Sequence, residues 1–330
     1  PPSASRPPPG HGPTEGLTAC EDKPPRLSLR STGTANDLAV TSANATSAAT
    51  AQASRLAAMA MARYPAYWPE TVRGLLTHAA EWTPPMRREI EQEQGNGTRL
   101  RLQRRSGGGV PTEEPVLHSS QQAVTMVSQD EFVPFDGPDY RMRRSRLHPL
   151  PCPRDALDSI GDDEVRLRVT LSYFVEPSPS RRGWRRRYTY ASHGLRFDLQ
   201  GSLESQQEFV RRVNRDAQRD EEGASRTAST SDRWLVGPQQ RHLGSLHQDE
   251  WTGTGHELAA SGTLAVYPVG GWWKNNGRAD RTSLPVRYGL IVSLRSRRQA
   301  VGECAPLAAR VRTLVADLVE TVDHEGRAGL

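Results

Sequence analysis

NATSAATAQASRLAAMAMAR, residues Asn44–Arg63, is the stretch on which the reading of this chain turns. It opens on a small polar cluster, Asn44, Ala45, Thr46 and Ser47. It continues as an Ala-rich run carrying Leu56, Met59 and Met61, and it stops at Tyr64-Pro65. Ala favours helix and Pro ends one, so the composition predicts a helix over about residues 46–63. Small residues fill its first turns (Ala48, Ala49, Ala51, Ala53), so its N-terminal end is expected to bury tightly against a sheet. Ser47 then stands in the first turn, where backbone N–H groups have no intrahelical acceptor and the helix dipole is positive. A hydroxyl beside such donors is placed to attack a carbonyl carbon, the donors holding the developing oxyanion. The same residue would also serve as an ordinary cap of a buried helix.

The run Ala45-Thr46-Ser47-Ala48-Ala49-Thr50-Ala51 resembles the nucleophile helix of the subtilisin-like serine proteases (subtilases, peptidase family S8). That pattern reads Gly-Thr-Ser-x-Ala-Thr/Ser-Pro/Ala. Ala45 replaces the usual Gly, which adds a Cβ where backbone freedom is favoured. The text Tyr64–Ala80 is similar to the family's next helix, and Gly107-Gly108-Gly109-Val110-Pro111 to its closing Gly-x-Gly-x-Pro turn. The resemblance implies peptide-bond hydrolysis through an acyl-enzyme on Ser47, a protein or peptide substrate, and no cofactor or metal. Ser47 is the one catalytic residue it assigns within this chain.

Hydrolysis also needs a base to take the serine proton and a carboxylate to orient that base. In subtilases these run in the order Asp, His, Ser, with Asp and His roughly a hundred residues or more before the Ser. Here 46 residues precede Ser47. His11, Asp22 and Asp37 are the upstream candidates, and none has a family-like context; Asn44 is too close to Ser47 to be the family's oxyanion Asn. The resemblance therefore places the triad Asp, the His and that Asn outside this chain. An upstream protease portion is needed for a complete site, and the 330 residues alone are expected to be inactive.

Pro and Gly number 25 and 28 against a hydrophobic content of 35%, so part of the chain is expected to be loop or disordered. The formal charge is +5, but of 43 basic residues only Lys23 and Lys274 are lysines. An Ala-, Gly-, Pro- and Arg-rich composition is what a GC-rich genome produces, and it weakens basicity as a sign of an anionic partner. Cys20, Cys152 and Cys304 are widely spaced and show no paired pattern, which argues against a disulfide framework and for a reduced, cytoplasmic setting. No signal peptide opens the sequence, and no apolar run approaches a membrane span.

Residues 1–25 are Pro/Ser/Gly-rich and expected to be disordered. Arg26–Ser31 and Leu38–Thr41 are short strand candidates. Pro69 suits the first turn of a helix over about 69–81, with Val72, Leu75, Leu76 and Ala79 as its apolar stripe. Residues 84–94 suggest a third, exposed helix. After a Gly- and Arg-rich break the period changes. Ala123–Ser128, Glu164–Tyr173, Arg187–Leu199, Gly262–Val269 and Val286–Leu294 read as strands, and Val165, Leu167, Val169 and Leu171 would face one core. A helix is expected over about 204–221, a polar loop over 222–232, and a terminal amphipathic helix over 306–322.

The fold class that follows is α/β, a partial subtilase catalytic domain over residues 1–120 whose helices would pack on a parallel sheet. An all-β, jelly-roll-like sandwich with an inserted helix follows over residues 121–330.

His78 reads as a packed or solvent-facing side chain, and His193, His242, His247 and His256 show no metal-ligand spacing. His247-Gln248-Asp249-Glu250 suggests a polar loop, and Trp272-Trp273 an exposed loop anchor. The run Arg181–Tyr188, RRGWRRRY, is the rival feature: Arg interleaved with aromatics can bind phosphate and stack on bases, although a solvated hairpin explains it as well. The leading expectation is no nucleic-acid partner and no membrane. The alternatives are a non-catalytic protein-binding module and nucleic-acid binding through Arg181–Arg187.

Overall fold

The structure, a computed structural model, describes residues 29–33, 40–43, 45–92, 106–117, 123–136, 141–142, 144–150, 154–179, 190–222, 233–237, 242–275, 279–296 and 320–323. The chain forms two compact units, Pro1–Ala58 and Met59–Leu330. In the first, strands β1 (Leu29–Thr32) and β2 (Val40–Ala43) pair antiparallel, from Leu29↔Ala43 to Thr32↔Val40. Helix α1 (Thr46–Arg63) starts just after β2 and runs on into the second unit. Its limits are those the Ala-rich run predicts, but Ala45, Thr46, Ser47, Ala49 and Thr50 are exposed. The expected burial of its first turns against a sheet is thus not what is found. Small side chains permit close packing without supplying apolar area that compels it.

The second unit continues with α2 (Pro69–His78), β3 (Ala80–Glu81), α3 (Pro84–Gln92), β4 (Val110–Pro111), α4 (Glu113–Leu117), β5 (Ala123–Phe132), β6 (Phe135–Asp136), β7 (Arg141–Met142) and β8 (Arg144–Pro149). Then come α5 (Arg154–Ile160), β9 (Glu164–Tyr173), β10 (Gly194–Leu199), α6 (Gln206–Glu222), β11 (Leu246–Thr254), α7 (Gly255–Ser261), β12 (Thr263–Val269), α8 (Trp272–Asn275), α9 (Ala279–Thr282), β13 (Val286–Ser296) and β14 (Glu320–Asp323).

Two four-stranded sheets dominate, ordered β11-β9-β13-β5 and β10-β12-β8-β14. Every strand pair among the described residues is antiparallel, so the parallel sheet implied under α1 and α2 is not among them.

Period-two alternation builds the core. On β9 the residues Val165, Leu167, Val169 and Leu171 turn inward and stand opposite Ser296, Leu294, Val292 and Leu290 of β13. Leu195, Phe197 and Leu199 of β10, with Leu264 and Val266 of β12, join the same apolar cluster from the second sheet. Each sheet carries a helix on its other face. On the second sheet α6 buries Phe209, Val213 and Ala217 against Leu147, Ala265, Tyr267 and Val269. A Ser205/Glu208 capping box starts that helix, and Arg212 ties it to Asp198 and Glu204.

On the first sheet α2 lies across β9 and β13, whose outward residues are mostly polar. Its approach is set by Gly289: a Cβ there would lie 2.7 Å from both Cα and Oγ1 of Thr71.

The strand expected at 164–173 forms with those ends, and the strands expected at 123–128, 262–269 and 286–294 and the helix expected at 204–221 form with shifted ends. Three expectations are corrected. His247–Glu250 is part of β11 and not a loop. Trp272 and Trp273 are buried and not exposed, their Nε1 atoms donating to the carbonyl and the carboxylate of Glu176. Residues 320–322 form β14 on the edge of the second sheet, where the terminal helix was expected. The rest of that helix, residues 1–25, the 223–232 part of the polar loop and Arg181–Tyr188 lie outside the described residues.

The two sheets also share a polar link. Tyr288 Oη donates to Asp130 (3.3 Å), Arg146 Nε lies 2.7 Å from the same carboxylate oxygen, and His148 Nε2 lies 2.8 Å from Tyr288 Oη. With the tyrosine proton given to Asp130, His148 donates from Nε2 and its Nδ1 is left as a bare acceptor, in keeping with its lack of a partner.

Two predictions follow from this packing. Gly289→Ala forces a methyl into the Thr71 backbone and lowers stability by about 1–3 kcal/mol in chemical denaturation, as overpacking does. Gly201→Ala, whose Cβ would meet nothing closer than 3.5 Å, serves as the near-neutral control. The second concerns acid. Burial pushes the His148 and His193 pKa values down to about 3, with Arg146 adding to the effect at His148. Both rings stay neutral in the fold while the unfolded chain takes protons below about 6.5. Their contribution is therefore complete above that pH and is lost as pH falls toward 3, at about 1.4 kcal/mol per pH unit for each ring. His193→Gln should flatten the slope of unfolding free energy against pH between 4 and 6 by that amount; an unchanged slope refutes the assignment.

Candidate functional site

The candidate site begins with the junction β2–α1. Ala49 N donates to the carbonyl of Ala45 (3.1 Å), which makes Ala45 the first acceptor of the helix. The N–H groups of Thr46, Ser47 and Ala48 therefore have no intrahelical partner. Further along, Thr50 Oγ1 donates to the carbonyl of Thr46 and Ser54 Oγ to that of Thr50, each at 2.9 Å, so these hydroxyls are committed to the backbone. The Ser47 hydroxyl has no such bond among the described residues, and the side chain is exposed. No acidic residue lies in the first turn to offset the positive end of the dipole. Ser47 thus presents an exposed hydroxyl beside N–H groups with no intrahelical partner, at a helix end that the sequence expects to be buried. The other candidates named upstream, His11, Asp22, Asp37 and Asn44, lie outside the described residues.

The structure separates the histidines of the second unit. His78 ends α2 beneath the helix, its Nδ1 2.9 Å from Thr170 Oγ1 and its Nε2 2.9 Å from Ser293 Oγ. A serine at that distance from an imidazole is the contact a nucleophile needs. Here, however, Ser293 is 2% exposed and the third partner is a threonine hydroxyl in place of a carboxylate. Burial, and then Arg168 and Arg295, push the His78 pKa well below its ordinary value, so the ring is a neutral hydrogen-bonding wedge. It packs, as one branch of the sequence reading anticipates.

His193 repeats the motif in the interior, with Nδ1 2.9 Å from the buried Ser192 Oγ. His242, His247 and Tyr173 complete a buried aromatic cluster with it. His256 is exposed and lies 3.3 Å from Asp158, a histidine–carboxylate pair whose described neighbourhood holds no bonded serine. Strand alternation turns His247 and Asp249 to one face of β11 and Gln248 and Glu250 to the other, which divides the apparent ligand cluster. Among the described residues no group of three or more His, Cys, Asp and Glu is placed to hold a metal ion, and no helix is long and apolar enough to cross a membrane.

One feature escaped the sequence reading: a charged seam where α2 and the turn before β4 meet the first sheet. Arg168 reaches from β9 through Nη1 to the carbonyls of His78 and Ala80, capping the end of α2, and to Glu81, while its Nε and Nη2 meet Glu250. Burial alone would raise the pKa of Glu81, yet Arg168, Arg295 and Arg87 together hold it below the ordinary carboxylate value. Trp82 Nε1 donates to the carbonyl of Gly107 (2.9 Å) and clasps the turn. Gly109 in that turn has φ +106, and a Cβ there would lie 2.2 Å from the carbonyl oxygen of Glu81, so only glycine fits. The alternation of charge along 166, 168 and 295 was visible in the sequence; its convergence on Glu81 depends on pairing at long range.

Ser293→Ala should leave one imidazole nitrogen of His78 buried and unpaired, and lower stability by about 1–3 kcal/mol. Chemical denaturation reads the loss, and an unchanged midpoint would show that the His78 nitrogen does not depend on Ser293.

Residues 20–109 match the model of the subtilase family, a span that holds Ser47, α1, α2 and the Gly107–Gly109 turn. No curated protein matches the chain.

Proposed function

We propose, from a chain whose residues 20–109 match the subtilase family, that Ser47 is the nucleophile of a serine endopeptidase. The observation that carries this reading is the exposed hydroxyl of Ser47 in the first turn of α1, without a partner among the described residues, beside its own N–H, which has no acceptor within the helix. In the reaction Ser47 Oγ attacks the scissile carbonyl carbon while a base takes its proton. The tetrahedral oxyanion is held in part by the Ser47 N–H, and collapse releases the amine and leaves an acyl-serine for water to cleave. The substrate is a protein or peptide.

We read the 330 residues alone as inactive. An unactivated serine is a poor nucleophile at neutral pH, and the described residues place no base beside it. The base, its carboxylate and a further oxyanion donor would come from the protease portion that family members carry before the serine. We read the downstream two-sheet unit as a jelly-roll-like sandwich that supports the subtilase segment and performs no chemistry of its own. Its helix α2 and the Gly107–Gly109 turn both lie within the matched span and both rest on the first sheet.

A fluorophosphonate probe tests the reading. Co-expressed with an upstream portion carrying Asp- and His-containing motifs, the chain should be labelled, and Ser47→Ala should abolish the label. Without that portion the rate should fall by about 10³-fold or more, the scale of losing a triad member. Labelling that survives Ser47→Ala would remove Ser47 from the chemistry.

A further inference from the structure

The two edges of the first sheet are finished differently. At β11 other chain meets the outward groups: Leu235 N donates to the carbonyl of Glu250 (2.9 Å), Trp234 bridges to Trp251, and Asp249 accepts from the N–H groups of Val236 and Gly237. At the other edge β5 pairs with β13 alone, and no described segment lies against it as a further strand. We propose that this edge is an interface between two copies of the chain, on which β5 of the second copy pairs antiparallel about a two-fold axis at Val127.

The phase of the ladder says which groups face outward. Tyr173 N donates to the carbonyl of Ser245 (3.1 Å), so Tyr173 and every second residue before it on β9 turn their main-chain groups to β11. Thr170 and Ser172 therefore turn theirs to Ile291 and Gly289 of β13, and Leu290 and Val292 of β13 turn theirs to Ser128 and Met126 of β5. Thr125, Val127, Gln129 and Glu131 are left with N–H and C=O directed out of the sheet. Glu131 agrees with this phase: its N–H donates to Asp130 Oδ1 (2.7 Å), and its carbonyl accepts from Arg146 Nη2 (3.1 Å). The main-chain groups of Thr125, Val127 and Gln129 have no such partner among the described residues.

Soluble proteins ordinarily blunt an edge strand with Lys, Pro, a bulge or a covering segment. Ala123–Phe132, AVTMVSQDEF, holds no Lys, Arg, Pro or Gly, and it pairs with β13 residue for residue without a bulge. Its charge sits at one end, in Asp130 and Glu131. That polarity selects the antiparallel copy. Centred on Val127, it sets Asp130 opposite Val124 and Glu131 opposite Ala123, whereas a parallel copy in register would set each acid against its own counterpart. Val127 meets Val127, a β-branched pair, and Thr125 meets Gln129 on either side of it. These are the residues with unmet main-chain groups, so each pair exchanges two N–H···O=C bonds. The ladder ends at Glu131, whose main chain Asp130 and Arg146 already hold. Such pairing is isologous and closes at two copies. It is also small, which places it among the weak, concentration-dependent contacts.

Sedimentation velocity on the 330-residue chain over a concentration series, from about 1 μM to about 500 μM, tests this. The chain should pass from monomer to dimer and to nothing larger. Val127→Lys and Val127→Glu should each weaken the dimer by about tenfold or more, because like charges then face one another across the axis. Their thermal midpoints at low concentration should stay that of the parent chain, and an equimolar mixture of the two should dimerise again. Amide hydrogen exchange on the unaltered chain needs no variant: exchange at Thr125, Val127 and Gln129 should slow as concentration rises, and exchange along β11 should not.

A chain that stays monomeric throughout, a dimer indifferent to both substitutions, a mixture that fails to re-form it, or slowed exchange that spares β5 overturns the proposal. So does a monomeric chain that binds a labelled, neutral Thr/Val peptide at the same amides, since the occupant is then a foreign strand and not a second copy.

Discussion

The second unit depends on a polar contact that a helix and a sheet do not ordinarily make. Helix α6 covers its sheet in the usual way, apolar side chain against apolar side chain. Helix α2 covers the first sheet where the outward positions are Arg166, Arg168, Thr170 and Ser172 on β9, and Arg287, Gly289, Ile291, Ser293 and Arg295 on β13, Ile291 being the one apolar side chain among them. Burying such groups is costly unless each finds a partner. His78 meets the need with two nitrogens for two hydroxyls, one on each of the paired strands. Arg73 donates to Ser172 Oγ and to the carbonyls of Tyr173 and Ser245 at one end of the helix, and Arg168 donates to the helix's own last carbonyls at the other. Directional bonds of this kind fix the register of α2 on the strands, which an apolar face would do only by shape.

This contact bears on how the chain is divided. The subtilase match ends at Gly109, but the packing does not end there. Gln248 of β11 donates to the carbonyl of Thr77, Arg168 of β9 caps α2, and Glu81 binds Arg295 of β13. Residues that carry the match and strands far downstream of it therefore share one set of hydrogen bonds within Met59–Leu330. A boundary drawn at a change of composition near residue 120 marks where the sequence period switches from helical to alternating. It is a statement about local pattern, and the bonds that cross it come from pairing at a distance.

The sequence was most legible where one local rule was strong. The alternation of Val165, Leu167, Val169 and Leu171 gave β9 to the residue, and the Ala-rich run gave α1 likewise. It was least legible where polar residues are buried. His247-Gln248-Asp249-Glu250 has the composition of a loop, yet its alternate members face an interior that already holds Tyr173 and His193. Trp272-Trp273 follows two glycines and looked like a surface anchor, but Glu176 supplies acceptors for both indoles from another loop. The box Thr254-x-x-Glu257, which starts α7, was readable and was passed over. For the buried strand and the two indoles the missing information is a partner remote in sequence. The helix that begins at Thr46 was legible because its signal is local, but the exposure of its first turn was not.

The same contrast explains why a recognisable nucleophile does not by itself make a site. Acyl transfer needs a serine that substrate can reach and an imidazole that can take its proton, in contact with one another. The described residues hold these properties apart. Ser293–His78 and Ser192–His193 have the contact, but both pairs are sealed, with rings kept neutral by burial. His256 has access and a carboxylate beside it, and no described serine bonds to it. Ser47 is exposed beside N–H groups with no intrahelical partner, and no described imidazole bonds to it. A buried Ser–His pair can stabilise a fold because nothing competes for its hydrogen bond, and it cannot catalyse for that reason.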